Sequence, residues 1–321
     1  AKQRVLGGVG ERVHSLGALA VVPGPGGTAS AAAQAAWQAA RAAADDTGGP
    51  DEPPRVVQRH VARQGGWPLG LKLLGGWAAW LGLDGWLAAL EGDALDLPGD
   101  DGVRVVEASW AHLDELGRTA MARLAALPRP WTLDDARDVG VAPATLRELV
   151  ATGWVSAGAG AFTIHLLLAE HARRHDPDAA AVARARHADR VLATFEEAFD
   201  RSGRPPPYAH RRVDHLIDAW SWACEAGDAG RLERAQPVVF AALSDARLVD
   251  ATRACVERAA AVAAAGSRLR RRLDVVLMGA TWESRERAVG LALADRLDAE
   301  AATADDGFVR ACVAWYRGAV A

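Results

Sequence analysis

Apolar residues recur at the three- and four-residue spacing of an α-helix through most of this 321-residue chain. From residue 166 onward the spacing hardly breaks, and Gly or Pro interrupts it at short intervals. The interruptions fall at residues 203–207, Gly227, Gly266 and residues 305–307. The pattern therefore predicts successive paired helices without strands, with no fixed repeat length.

A different pattern precedes this helical stretch. One helix is predicted over residues 109–127, with its first residue, a serine, as the cap. Thr132 and the acids that follow it, Asp134 and Asp135, predict the start of a second, short helix. A third helix is expected over residues 143–152. Two apolar segments, residues 154–155 and 162–164, flank a Gly- and Ala-rich turn and predict a β-hairpin. Three helices followed by a hairpin is the order of a winged helix.

Together these patterns predict a mainly α fold in three parts. Residues 1–100 form a helical subdomain, with helices expected over residues 29–44 and 52–64. Residues 101–178 form a winged helix with its small β-hairpin. Residues 179–321 form α-solenoid-like helix pairs, similar to tetratricopeptide repeats.

Composition narrows the class of protein. Hydrophobic residues make up 50% of the chain and the net charge is −4, so cores are ample and a general nucleic-acid binder with a basic face is disfavoured. Cys224, Cys255 and Cys312 lack CxxC spacing and are predicted to be small buried hydrophobes in a reducing compartment. No apolar run reaches the roughly 18 residues that cross a bilayer, and no signal-peptide pattern is present. A cytoplasmic location without a membrane partner is expected.

Candidate catalytic chemistry is sparse. The glycine-rich residues 23–30 lack the Gly-Lys-Ser/Thr ending that holds phosphates and Mg²⁺. His171 and His175 share a helical face, as metal ligands can, but no Glu follows His171, so a solvated helix end is the favoured interpretation. The basic residues 268–272 lie among acids and are interpreted as a solvated helical face. We expect no enzymatic activity from the chain itself.

Three segments, in order, resemble the signal-transduction ATPases with numerous domains (STAND proteins), in particular bacterial transcriptional regulators with an NB-ARC-like ATPase module. Residues 65–71 resemble the family's Gly-Leu-Pro-Leu-Ala-Leu element, whose proline lies against the bound adenine, and Pro68 matches it. Residues 109–127 and 131–136 resemble the family's winged-helix entry, and residues 146–155 resemble its third helix and first wing strand. Residues 162–167 resemble the Met-His-Asp region, whose histidine reaches the β-phosphate of ADP. His165 matches that histidine, while Leu166 stands where the acid would be.

Segments on either side of these three also resemble the family, and residues 65–71 depart from the family's element at two positions. Trp67 replaces the family's Leu, and Gly70 replaces its Ala. Residues 4–19 look like the stretch after the sensor-1 arginine, which makes Arg4 a candidate sensor of the γ-phosphate. Residues 214–223 resemble the helix that opens the tetratricopeptide-like arm. The nucleotide contacts that the resemblance alone implies are Arg4, Pro68 and His165.

This resemblance implies a regulatory switch, in which residues 1–100 are the remnant and helical lid of an NTPase module. The winged helix would lock ADP held by an upstream NTPase core, and the helical arm would bind a protein partner or a small ligand. No cofactor is expected in this chain alone, and ADP or ATP would bind only together with that core. The phosphate loop and Mg²⁺-binding acids that should precede Arg4 are not in this sequence, which begins at Ala1 and reads as a segment of a longer protein.

Other interpretations remain open at this point. A nucleotide-independent helical scaffold for protein–protein interaction would fit the replacements at Trp67, Gly70 and Leu166. A DNA-binding winged-helix regulator would need basic residues on the third helix, which offers only Arg147 beside Glu148, so direct DNA binding is not expected. An enzyme ranks last.

Overall fold

The computed structural model describes residues 30–46, 50–63, 73, 75–91, 102–158, 160–283 and 286–320. Within these ranges the chain is mainly α-helical and contains a two-stranded antiparallel sheet, which confirms the predicted fold class. It divides into two compact units that meet between residues 183 and 184, inside a long helix. None of the described helices combines the length and the apolar character needed to cross a membrane.

The first unit contains eight helices and two strands among its described residues. They are α1 (Ala31–Ala43), α2 (Arg55–Arg63), α3 (Ala78–Glu91), α4 (Gly102–His112), α5 (Glu115–Ala125), α6 (Leu133–Asp138), α7 (Pro143–Ala151), β1 (Ser156–Gly158), β2 (Ala161–Thr163) and α8 (Leu166–His175). Helix α9 (Pro177–Ser202) contains the boundary between the units. The three-part division stays a prediction.

Helices α1 to α3 share a small aromatic core. Ser30 starts α1 by accepting a hydrogen bond from Ala33 N at 3.2 Å, which satisfies a backbone donor that the first turn leaves unpaired. The buried indoles of Trp37 and Trp86 stack with their centroids 6.3 Å apart. Because each indole removes a large apolar surface from water, this pair anchors α1 to α3.

The chain between residues 102 and 127 forms two helices, not the single helix predicted over residues 109–127. Asp114 caps the second one, since its carboxylate accepts a hydrogen bond from Gly117 N at 2.7 Å. Ser109 is buried inside α4, and its hydroxyl accepts a hydrogen bond from Trp77 Nε1 at 3.0 Å. The prediction is wrong because Asp114, not Ser109, supplies the cap.

The predicted hairpin is present, but it begins later than expected. Ser156 of β1 pairs with Thr163 of β2 in an antiparallel register. Trp131 forms an isolated bridge with Phe162 on the other side of β2, and the two rings stack at 5.1 Å. Residues 154–155 are not part of β1, because Val155 N still donates to a carbonyl of α7.

The second unit is an array of helices that pack on one another. After α9 come α10 (Val213–Glu225), α11 (Ala229–Asp245), α12 (Val249–Val262), α13 (Arg268–Glu283), α14 (Arg287–Ala304) and α15 (Gly307–Val320). The helices from α10 to α15 each pack on their neighbours in sequence, and α10, α11 and α13 also pack on the helix after next, as in helical repeat proteins. Gly227 and Gly266 have positive φ, at 67° and 69°, and let the chain turn after α10 and α12.

Two contacts show how tightly the array packs. Trp220 of α10 is fully buried, and its Nε1 donates to Cys255 O of α12 at 3.0 Å. On α14, Gly290 faces the buried ring of Tyr316, and an added Cβ would lie 1.8 Å from its hydroxyl oxygen. Only glycine fits there without a shift of the neighbours.

Candidate functional site

The candidate site forms where the hairpin leads into α8. Of the three predicted nucleotide contacts, Arg4 and Pro68 lie outside the described residues. His165 precedes α8 and is its N-cap. Ile164, the residue before it, is buried in the core of the first unit and fixes the point at which the chain leaves β2. The imidazole of His165 is consequently held at the entrance of α8, on the surface.

The local bonding of His165 sets its tautomer. Its Nδ1 accepts a hydrogen bond from Leu167 N at 3.3 Å. A nitrogen that accepts carries no proton, so the proton of the neutral ring lies on Nε2. An Nε2–H group is a suitable donor to a phosphate or carboxylate oxygen.

The surroundings of His165 favour a negative charge. The first turn of α8 carries the partial positive charge of a helix N-terminus, where backbone N–H groups have no helical acceptor. Arg129 adds a formal positive charge nearby, since its Nη1 donates to Ile164 O at 3.1 Å. A helix N-terminus with an arginine close by is an environment that favours an anion.

Two apolar side chains border this helix end. Leu166 and Leu167 are 54% and 50% exposed in the first turn of α8. Their apolar surface is accessible to another molecule that approaches this end of α8. The sequence placed His165 here, but it gave no indication that both leucines face solvent or that Arg129 lies close by.

A second cluster lies at the other end of α8. His171 and His175 share a face, as predicted, with ring centroids 4.3 Å apart. Trp110 of α4 contacts both rings, at 5.1 Å and 5.2 Å. Glu107, one helical turn before Trp110, directs its carboxylate to within 3.8 Å of His171 Nδ1 and 4.0 Å of His175 Nε2. The interpretation of His171 as part of a solvated helix end is wrong, because its side chain is only 12% exposed.

Burial also changes the acid–base chemistry of His171. Desolvation lowers its pKa, His175 and Arg174 lower it further by charge repulsion, and Glu107 opposes them. The neutral ring is therefore favoured. The sequence interpretation missed Glu107, because the acid comes from a helix far away in sequence.

The cysteines behave as structural residues. Cys224 and Cys255 are buried, as predicted, and burial raises the pKa of their thiols to about 11 and about 12. Cys312 is half-buried, and burial raises its thiol pKa as well. Thiols that stay protonated are poor nucleophiles and poor metal ligands.

The basic run of α13 is engaged with acids and an aromatic ring. Arg271 is buried and lies 3.3 Å from a carboxylate oxygen of Asp306, so its interpretation as a solvated residue is wrong. Arg270 pairs with Asp274 at 3.4 Å. Arg272 lies over the ring of Phe308, 4.9 Å from its centroid.

Helix α15 presents an aromatic face to solvent. Phe308 and Trp315 are 53% and 65% exposed. They lie seven residues apart, which places them on the same face two helical turns from one another. Exposed Trp side chains are frequent binding anchors in protein interfaces.

Comparison with known proteins identifies no family for this chain. No family model matches the chain, and no curated protein matches it. Among solved structures, a signal transduction ATPase with numerous domains (STAND) protein with a tetratricopeptide repeat sensor from Pyrococcus horikoshii aligns with 88% of this chain, at 11% identity and a TM-score of 0.45. The chain spans 43% of the length of that protein. At this identity and TM-score the likeness supports no functional argument.

Proposed function

We propose that this chain is a regulatory module of a STAND-type signalling ATPase. In this proposal residues 101–178 act as a winged-helix lid on ADP held by an NTPase core, and the helical array binds a protein partner or a small ligand. The observation that carries the proposal is the exposed N-terminus of α8, where His165 and Arg129 favour an anion. In this proposal the ATPase chemistry belongs to the core.

The order of elements supports the lid. Helix α5, the bridge at Trp131, α6, α7 and the hairpin follow one another in the order of a winged helix. His165 comes two residues after the end of β2, at the position that the sequence resemblance assigns to the phosphate-contacting histidine. Closure onto a core would cover Leu166 and Leu167 and remove their apolar surface from water.

The resemblance to transcriptional regulators extends the proposal to control of transcription. In that case another part of the protein would contact DNA, because α7 offers only Arg147, next to Glu148. A winged-helix fold by itself does not imply DNA binding.

The test is calorimetric titration of ADP and of ATP with Mg²⁺, into this chain and into the product of the full open reading frame. We expect no binding to the chain alone and binding to the full product. His165→Ala should weaken ADP binding by about tenfold, which is about 1.4 kcal/mol. His210→Ala is the matched control, since this exposed histidine bonds Pro207 O in the loop before α10, and the variant should leave the affinity unchanged.

If His165→Ala leaves the ADP affinity unchanged, or if the full product binds neither nucleotide, the proposed winged-helix lid is refuted.

The alternative function is then a nucleotide-independent helical scaffold for protein–protein interaction. The aromatic face of Phe308 and Trp315 favours that alternative, because it offers a hydrophobic anchor without any nucleotide. Helical peptides selected against the chain should lose binding to Trp315→Ala, and peptides that bind both forms equally would count against this face.

A further inference from the structure

We infer that Glu107, His171 and His175 form a binding site for a divalent transition-metal ion, and that Zn²⁺ suits it. These three residues each offer one ligand atom, and the three atoms lie within 4.8 Å of one another. Two imidazoles and one carboxylate form a common protein donor set for zinc. This inference does not depend on the proposed function, because it uses the opposite end of α8 and involves no nucleotide.

The distances fit ligands around a common centre better than an ion pair. Glu107 lies 3.8 Å from His171 Nδ1 and 4.0 Å from His175 Nε2, and both separations are too long for hydrogen bonds. Bonds of 2.0–2.1 Å to tetrahedral zinc place neighbouring ligand atoms about 3.3 Å apart. Small side-chain rotations close that difference, since Glu107 is exposed and its side chain has three rotatable bonds.

His171 would bind the ion through Nδ1, because this is the ring nitrogen that lies 3.8 Å from Glu107. Its Nε2 is buried and has no hydrogen-bond partner in the part of the chain that the structure describes, and it would stay outside the coordination.

The neighbours hold the donors in place and leave them available. Trp110 meets the ring of His171 edge-to-face at 79° and lies against His175, which restricts both imidazoles. The two arginines next to His175 have other partners: Arg173 donates to Ala125 O at 2.7 Å, and Arg174 pairs with Glu170.

The position on the helix adds to the attraction for a cation. His171 and His175 lie in the last two turns of α8, which ends at residue 175. The C-terminal end of a helix carries a partial negative charge and stabilises cations. With three protein ligands, a tetrahedral ion keeps one position for water or another small ligand. The ion would also tie α4 to α8 within the first unit.

The test is titration of the purified chain, stripped of metal with a chelator, with Zn²⁺ and with Co²⁺. We expect one tight equivalent of Zn²⁺, visible d–d absorption from bound Co²⁺, and a rise in Tm with Zn²⁺. Glu107→Gln, which keeps the size of the side chain, and His175→Ala should each weaken that equivalent at least tenfold and abolish the rise in Tm. Mg²⁺ should not compete, because it prefers all-oxygen ligands.

His112→Ala is the matched control, because His112 also lies on α4 and is exposed. It should keep both the affinity and the Co²⁺ spectrum. Circular dichroism of each variant without metal shows whether it folds. If His175→Ala fails to fold, the near-isosteric Glu107→Gln still tests the inference. A wild-type chain without a tight equivalent, or a Glu107→Gln variant that binds Zn²⁺ as tightly as the wild type, would overturn the inference.

Discussion

Replacing Gly290 with Ala should loosen the packing of α13, α14 and α15. The added Cβ would lie 1.8 Å from Tyr316 Oη and 2.3 Å from Thr281 Oγ1, far inside contact distance. Tyr316 is fully buried, and its hydroxyl lies within hydrogen-bond distance of Thr281, at 3.0 Å. The substitution must therefore displace a buried aromatic ring or move α14 away.

The expected magnitude follows from three contributions. Overpacking of a core typically costs about 1–3 kcal/mol. Loss of the buried contact between Tyr316 and Thr281 adds about 1 kcal/mol. The higher helix propensity of Ala returns up to about 1 kcal/mol. We expect a net loss of about 2 kcal/mol in the free energy of opening of these three helices.

Hydrogen exchange of peptides from α13 to α15 is the suitable assay, because a chain with two units need not unfold in one step. Gly279→Ala on α13 is the matched control: its Cβ would meet nothing within 4 Å, so slower exchange is expected. In a Tyr316→Phe background, Gly290→Ala should cost less, since the nearest clashing atom is gone. If Gly290→Ala slows exchange as Gly279→Ala does, the packing argument is refuted.

Two further predictions concern the second unit. Trp220→Phe should lower the free energy of opening of the second unit by about 2–3 kcal/mol, through a cavity and a lost hydrogen bond to Cys255 O. Trp282→Phe at an exposed site should change it little, and hydrogen exchange of peptides from this unit measures both variants. The thiols of Cys224 and Cys255 have pKa values of about 11 and 12 when folded, against about 8.5 when unfolded, so the unfolded chain loses these protons first as pH rises. Stability should thus be full below about pH 8.5 and fall above it, and an equally steep fall in a Cys224→Ser, Cys255→Ser variant would contradict this.

Local patterns predicted the helical character of the array, and Gly227 and Gly266 mark two of its turns because they adopt a left-handed conformation there. The turn between α11 and α12 was not predicted. The break between α4 and α5 was not predicted. Asp114 supplies a cap of about 1 kcal/mol, a small local effect that apolar spacing does not reveal.

Tertiary contacts account for what the sequence left out of both candidate sites. His165 could be located from the hairpin alone, because the chain order fixes it. Glu107 could not, since only the packing of α4 brings its carboxylate to His171. Arg271 is a similar case: its buried pairing with Asp306 depends on how the start of α15 meets α13. Charge patterns in sequence show which residues are ionisable, and packing decides which become partners.

Helix α8 connects the two proposed sites and explains their opposite preferences. It is ten residues long, which corresponds to about 15 Å, and its dipole favours an anion at His165 and a cation at His171 and His175. Between them Leu168 and Ala172 are fully buried, so the core of the first unit already fixes the orientation of the helix. A metal ion would then stiffen a helix that is in place and would not swing His165 to a new position. Coupling between two sites requires an element with two distinct arrangements, and a helix held by its buried face provides only one.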